Sequence, residues 1–160
     1  MSDQTATDGK RKFRLSRRFL LVSGIAAASG YAAWGYSMRP SSVGNLITTK
    51  QAHELATSGE ITLVDIRRPD EWEATGVGEG ANPLDMRRDD FTEVLLTLVD
   101  GERDAPIALM CARGVRSRRL TARLTEAGFT NIIDVPEGML GSSAGPGWLK
   151  NDLPTTAYDQ

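Results

Sequence analysis

Residues 107–117 read IALMCARGVRS. The four apolar residues at the start predict a buried strand, because the run is too short for a buried helix. Residues 115–128 predict a helix that Gly128 can end. Its apolar positions recur at spacings of four and three residues: Leu120, Leu124 and Ala127. A buried strand that passes through a short loop into a helix indicates an α/β domain.

The same alternation of strands and helices extends on both sides of this stretch. Two further apolar runs, ITLVDI (61–66) and NIIDV (131–135), predict buried strands. Three more helices are predicted: one capped by Thr48 or Thr49 and ended by Gly59, one over 68–76, and one over 89–99. The last has one apolar face, made of Phe91, Val94, Leu95 and Leu98. Residues 77–88 are rich in turn formers. This order of elements predicts a mostly parallel central sheet flanked by helices.

The first 38 residues have the composition of a targeting segment. A basic run over residues 10–18 precedes seventeen apolar or small residues, 20–36. This order is typical of a signal peptide, and SRRFL (16–20) resembles the twin-arginine export signal of bacteria. Residues 19–36 also reach the lower length limit for a membrane anchor, so cleavage and retention both remain open.

Either arrangement predicts the same location for the rest of the chain. Basic residues stay in the cytoplasm, so the body is expected on the periplasmic side, exported across the bacterial inner membrane or anchored to it. Residues 39–45 are predicted to be a linker, because they contain Pro, Ser and Gly. Residues 46–158 are predicted to form the folded domain.

Charge and composition exclude two classes of function. Residues 1–38 carry six Lys/Arg and two Asp/Glu, whereas the rest of the chain carries thirteen and nineteen. The body is therefore acidic, and binding to nucleic acid has no electrostatic support. One cysteine excludes an intrachain disulfide and a cysteine-rich zinc site, and the single histidine adds no second ligand, so no metal and no cofactor are predicted.

Cys111 lies where ligands bind in open α/β sheets, at the carboxyl end of a predicted strand. The loop after it, residues 112–116, brings backbone N–H groups to the start of a helix, where they and the helix dipole form an anion site. Gly114 lets the backbone turn, while Arg113 and Arg116 add positive charge. A thiol in this setting ionises readily and becomes a nucleophile. The alternative, a small buried core residue, is common for single cysteines.

Five segments of the body, in this order, resemble a single-domain rhodanese, a sulfurtransferase. They are LVDIR (63–67) with PDEW (69–72), CARGVRS (111–117), LTEAGFTNI (124–132), EGM (137–139) and LP (153–154). The resemblance implies a rhodanese-like three-layer sandwich. It also implies that Cys111 takes sulfur from a small anionic donor such as thiosulfate, becomes a persulfide, and passes the sulfur to cyanide or a thiol.

The resemblance also implies roles for individual residues. The donor and the persulfide would be held by the loop residues Ala112, Arg113, Gly114, Val115 and Arg116. Asp65 and Arg67, at the end of a neighbouring strand, would support the site or would form only a structural salt bridge.

Three departures from the family pattern bear on the site. Ala112 occupies a position where the family often has arginine, and Arg113 follows one residue later, which leaves the donor open. GVGEGA (76–81) lacks the usual His and Pro. GSSAGPG (141–147) resembles an insertion, either at the mouth of the site or a loop without function.

Two other functions remain open. A cysteine phosphatase of related fold has five residues between cysteine and arginine, whereas Cys111 and Arg116 are separated by four, which favours sulfur over phosphorus. A binding module would keep the fold without chemistry, but such modules usually lack the cysteine. We interpret His53 as a surface or structural residue, and Trp72 and Trp148 as packing residues.

Overall fold

The structure is a computed structural model that describes residues 46–158. The predicted targeting segment, 1–38, and the linker, 39–45, lie outside the described residues. The described elements are, in chain order, α1 (Thr49–Thr57), β1 (Thr62–Asp65), α2 (Pro69–Thr75), β2 (Val77–Gly78), β3 (Ala81–Pro83), α3 (Phe91–Leu98), β4 (Ile107–Met110), α4 (Val115–Glu126), β5 (Ile132–Val135), α5 (Gly147–Lys150) and β6 (Thr155–Thr156).

Four strands form one sheet in the order β3-β1-β4-β5. Every pairing in it is parallel, as predicted. Strands β2 and β6 form a separate antiparallel pair. The carboxyl ends of β1, β4 and β5 therefore meet at one edge of the main sheet, and the loops that leave them lie side by side.

Each face of the sheet is covered by a separate apolar core, which makes the sandwich three layers deep. Alternate residues of β4 divide between the two, because successive side chains of a strand point to opposite faces. Ile107 and Leu109 join the first core, with side chains of α3 and α4 such as Leu95 and Leu120. Ala108 and Met110 join the second core, with side chains of α1 and α5: Ala52, Leu55, Trp148 and Leu149.

Most predicted helix limits are confirmed to within two residues. Of the two cap candidates for α1, Thr48 is the N-cap, and it exchanges capping hydrogen bonds with Gln51. Thr49 is instead buried, where its hydroxyl donates to Glu137 Oε2 over 2.8 Å. None of the helices in residues 46–158 is long and apolar enough to span a membrane.

Two sequence predictions about local structure are wrong, and one turn-rich stretch contains strands that the sequence did not indicate. Residues 77–88 contain β2 and β3, which are too short to show a periodic pattern. Leu98 is 38% exposed and its place in the core is taken by Val99. Ala127 is likewise exposed, and Phe129 is buried instead. Both helices end at these points, so the helical spacing no longer determines which residue faces the core.

Candidate active site

Cys111 is the first residue after β4, and its side chain is buried. Two groups of the following turn contact its sulfur. The Gly114 N–H donates to Sγ over 3.1 Å, and the hydroxyl of Ser117 lies 3.7 Å from Sγ. An N–H group that points at sulfur can donate to a thiolate or to a persulfide, so the turn has the geometry to hold either.

The turn depends on the left-handed backbone of Gly114, which has a φ of +78° and caps α4. A Cβ at this position would lie 2.2 Å from the carbonyl oxygen of Pro136. Only glycine meets both conditions, because other residues carry a Cβ and rarely adopt a positive φ. The first N–H groups of α4 have no partner within the helix and are therefore available to an anion.

The chain after β5 runs beneath the cysteine loop and holds it. The N–H groups of Met139 and Leu140 donate to the carbonyls of Cys111 and Ala112 over 2.8 and 2.9 Å. Gly138 has a φ of +66°, and a Cβ there would lie 2.6 Å from the Cys111 carbonyl oxygen. The loop is thus bonded to its own helix on one side and to a second loop on the other.

Arg116 extends from the first turn of α4 to α2, where it forms a bidentate ion pair with Glu71. The two terminal guanidinium nitrogens, Nη1 and Nη2, each donate to a different carboxylate oxygen over 2.7 Å. Glu71 raises the pKa of Arg116, and the nearby Cys111 sulfur raises it further. The same pairing lowers the pKa of Glu71. Two of the five N–H donors of Arg116 are used here, which leaves three for a ligand beside Cys111.

Arg113 and Val115 are exposed at the rim of the loop, whereas Ala112 is half-buried. Residues 141–147 lie on the other side of Arg113, and a cavity of about 360 Å³ is lined by both. The segment is a hydrogen-bonded turn, in which Ser142 N donates to the carbonyl of Gly145 over 2.9 Å. Residues 141–147 therefore border the cysteine loop through Arg113.

Asp65 and Arg67 are both buried and form an ion pair of 2.7 Å. The guanidinium also donates to the hydroxyl of Thr75 and to the carbonyls of Glu71 and Gly76. All of these partners belong to β1 and to α2 with its C-cap, and neither side chain has a hydrogen bond to Cys111. The contacts agree with a structural salt bridge that attaches α2 to the sheet.

Two residues at this site were not selected from the sequence. Ser117 is fully buried and lies between Cys111 Sγ and the Gly114 carbonyl, to which its hydroxyl donates over 3.2 Å. Asp134 is 4% exposed on β5, and its Oδ1 has no hydrogen-bond partner. A carboxylate inside the apolar run NIIDV is the signal that could have singled out Asp134.

The remaining candidates lie away from the cysteine loop. His53 Nε2 is 2.8 Å from Glu79 Oε2, and the ring packs edge-on against Trp148. Trp72 and Trp148 are both buried, which confirms their packing roles. In residues 46–158, no group of three or more His, Cys, Asp or Glu side chains is placed to hold a metal ion.

Comparison with known proteins identifies a family whose model matches the part of the chain that contains this site. Residues 48–144 match the model of the rhodanese-like domain. An uncharacterised protein of Rickettsia rickettsii is 29% identical over 119 residues, which cover 71% of this chain and 97% of that protein.

Solved structures share the fold at lower identity. A polysulfide-sulfur transferase homodimer from Wolinella succinogenes has a TM-score of 0.55 at 24% identity, over 72% of this chain and 80% of that one. A protein of unknown function from Rhodopseudomonas palustris, described as a possible tyrosine phosphatase, has a TM-score of 0.51 at 22% identity, over 69% and 83%. The parallel sheet, the cysteine loop at its carboxyl edge and the match over residues 48–144 agree: the chain belongs to the rhodanese-like domain family.

Proposed function

We propose that the protein is a sulfurtransferase that carries sulfur as a persulfide on Cys111. The observation that carries this proposal is the contact of 3.1 Å between Gly114 N–H and Cys111 Sγ, at the start of α4. A thiolate held by a backbone donor and a helix dipole is a ready nucleophile, and the same donors stabilise a charged persulfide.

The reaction has two balanced steps. In the first, the Cys111 thiolate attacks the outer sulfur of thiosulfate or a similar sulfane donor. A new S–S bond forms, the donor's S–S bond breaks, and sulfite leaves with the electron pair. In the second, cyanide or a thiolate attacks the outer persulfide sulfur, and Cys111 leaves as the thiolate that began the cycle.

Donor recognition is assigned to the cations and amides of the loop. Arg116 has three N–H donors beyond those bonded to Glu71, and it lies close enough to interact with the Cys111 sulfur. Arg113 is exposed at the rim, one residue after the usual family position. We assign it to the first encounter with an anionic donor, which long-range attraction would draw to the loop.

The shorter loop distinguishes this proposal from phosphate ester hydrolysis. Four residues separate Cys111 from Arg116, and a phosphatase loop of the related fold has five. The structural likeness to a possible tyrosine phosphatase makes that activity the natural comparison in an assay.

We also propose that the reaction takes place on the periplasmic side of the inner membrane. The basic run and the apolar segment of residues 10–36 support this location. The physiological donor and acceptor would then be extracytoplasmic sulfur compounds or thiols.

Intact-mass measurement after incubation with thiosulfate tests the chemistry. The wild-type protein should gain the mass of one sulfur atom, and cyanide should remove it as thiocyanate. Cys111→Ser should gain nothing, whereas Ser143→Ala, on the exposed turn, should behave as wild type. If the protein hydrolyses an aryl phosphate and forms no sulfur adduct, the sulfurtransferase proposal is wrong and the protein is a phosphatase. If the folded protein catalyses neither reaction, the remaining interpretation is a binding module without catalytic activity.

A further inference from the structure

A second pocket lies beside the cysteine loop, next to β5, which is an edge strand of the main sheet. It is a cavity of about 180 Å³, and we call it the Asp134 pocket. Its walls are the loop at Arg113 and Gly114, the first turn of α4 at Arg118, the β5 residue Asp134, and the turn at Ser142. Cys111 is not among the lining residues, whereas Arg113 and Gly114 of the cysteine loop are, so the pocket adjoins the sulfur site and shares part of its loop.

The carboxyl of Asp134 is the unusual group in this wall. The side chain is 4% exposed, yet Oδ1 has no hydrogen-bond partner among residues 46–158. Burial raises the pKa of Asp134, and the Ser117 hydroxyl and the charge of Arg118 only partly oppose this. An unsatisfied buried carboxyl oxygen is costly and points to a donor from outside the chain. Oδ1 has almost no accessible surface, so a ligand reaches it only after the carboxyl turns about its last torsion, which is broad in aspartate.

The opposite charge in the same pocket is also unused. Arg113 and Arg118 are exposed, and within residues 46–158 neither guanidinium has an ion pair or a hydrogen bond. Arg118 is near enough to lower the pKa of Asp134, but the two side chains form no salt bridge. Among the described residues, the pocket therefore presents two guanidinium groups without an ion pair and one carboxyl oxygen without a hydrogen-bond partner.

The other polar wall is already satisfied within the chain. The hydroxyl of Ser142 donates to the carbonyl of Pro136 over 2.7 Å and accepts from the N–H of Ala144 over 3.0 Å. A ligand would therefore be held by the charged groups and not by this turn. The volume corresponds to about six water molecules at ~30 Å³ each, which suits a ligand of a few non-hydrogen atoms.

We propose that the Asp134 pocket binds a small zwitterion of the amino-acid class, with its ammonium group on Asp134 and its carboxylate on Arg113 and Arg118. A carboxylate matches the fork of donors on a guanidinium, and an ammonium group supplies the donor that Asp134 Oδ1 lacks. One ligand would thus pair with the two arginines and with the carboxyl oxygen that the described residues leave without a donor.

The pocket is connected to the sulfur site through two residues. Gly114 lines the pocket and donates to Cys111 Sγ, and Ser117 hydrogen-bonds within the same turn. The binding proposal itself does not depend on sulfur transfer. It can therefore be tested with ligands that carry no sulfur and cannot react with Cys111.

Three probes of similar size separate the two charges: L-alanine has both, propionate lacks the ammonium group, and ethylamine lacks the carboxylate. Binding to the full-length protein is followed by NMR shifts of the backbone amides around the pocket. We expect saturable shifts with alanine, and affinities lower by about tenfold or more for the other two, since each loses a charged hydrogen bond.

Two substitutions assign the charges, and a neighbour serves as control. Asp134→Asn should lower the affinity for alanine by about tenfold and leave the affinity for propionate unchanged. Arg118→Gln should lower the affinity for alanine and leave the affinity for ethylamine unchanged. Arg119→Gln, next along α4 and outside the pocket, should change neither.

Absence of saturable shifts with alanine up to its solubility limit would overturn the proposal. Equal effects of Arg118→Gln and Arg119→Gln would also overturn it, because the attraction would then be nonspecific. Thermal unfolding of each variant checks its fold, and the Arg118 comparison remains decisive if Asp134→Asn is unstable. A protein that binds alanine but forms no persulfide would refute only the sulfurtransferase proposal.

Discussion

Gly114 determines the geometry of the cysteine loop, and its substitution is the sharpest test at the scale of a single residue. Gly114→Ala forces a Cβ to within 2.2 Å of the Pro136 carbonyl oxygen at a φ of +78°. We expect a loss of roughly 3 kcal/mol in the free energy of unfolding, the sum of the left-handed backbone cost and overpacking. Urea-induced unfolding measures it.

Gly101 provides the matched control, since it has a φ of +82° but nothing within 4 Å of its absent Cβ. Gly101→Ala should therefore cost only about 1 kcal/mol, the backbone share alone. Equal losses for the two variants would show that the Pro136 carbonyl moves aside freely.

The buried pair of Asp65 and Arg67 gives a second prediction for a single residue. Arg67→Ala leaves the carboxylate of Asp65 buried without its partner, which should cost roughly 3–5 kcal/mol of stability. Persulfide formation per folded molecule should be unchanged, because within residues 46–158 no hydrogen bond or ion pair joins Arg67 to Cys111. Thermal unfolding and intact mass at low temperature measure the two effects.

Arg68→Ala is the control for that comparison. Its ion pair with Asp70 is exposed, so the stability should change by no more than about 0.5 kcal/mol. A loss of sulfur loading in folded Arg67→Ala would instead assign this pair a supporting role in the chemistry.

Two helices, α2 and α4, are joined by the ion pair between Glu71 and Arg116. Both side chains are partly exposed, so Arg116→Ala should lower stability by only about 1 kcal/mol or less. We expect the rate of persulfide formation to fall by about a hundredfold, since the charge beside the reacting sulfur is lost. The rate of persulfide formation is measured by stopping the reaction with thiosulfate at successive times and determining the intact mass of the protein. A variant that mainly unfolds, with its rate intact, would make Arg116 structural.

The same pair makes part of the stability depend on pH. Arg116 lowers the pKa of Glu71 in the folded protein, so the stabilisation is present above the ordinary glutamate value of about 4.3. It is lost as the pH falls through the lower, folded value. Glu71→Gln should therefore destabilise the protein at neutral pH and much less at about pH 3.

Thermal unfolding of both proteins at the two pH values measures this difference. In the Arg116→Ala background, Glu71→Gln should lose most of its pH-dependent effect, because the partner that lowers the pKa is gone. If the pH-dependent effect of Glu71→Gln persists in the Arg116→Ala background, it comes from the remaining contacts of Glu71 with Arg68.

At the scale of the whole molecule, residues 1–38 are proposed to carry the domain out of the cytoplasm. Replacing Arg17 and Arg18 together by lysine keeps the charge but removes the arginine pair. We expect the domain to accumulate in the cytoplasm of a bacterial host, as measured by fractionation. The control combines Lys10→Arg with Arg11→Lys, which also keeps the charge of the basic run, and it should leave export unchanged. Unchanged export of both variants would mean that the arginine pair is not the signal.

The alternation of the main strands and helices, and the position of Cys111 directly after a buried strand, were predictable from the sequence. The apolar runs of β1, β4 and β5 and the glycine after α4 are local signals, because burial and helix termination depend on neighbours in the chain. The sites where prediction failed are helix ends, such as Leu98 and Ala127, and the very short strands β2 and β3. In these places, packing against distant residues outweighs local pattern.

By itself the sequence determined the fold class, the cysteine loop and its spacing to Arg116, since residues adjacent in the chain specify all three. Only the tertiary structure decided the partners of the charges. Glu71 receives Arg116 from 45 positions away, and Asp134 faces a pocket with Arg113 and Arg118. Charge pairing acts through space at a few ångströms, and a linear sequence does not contain those distances.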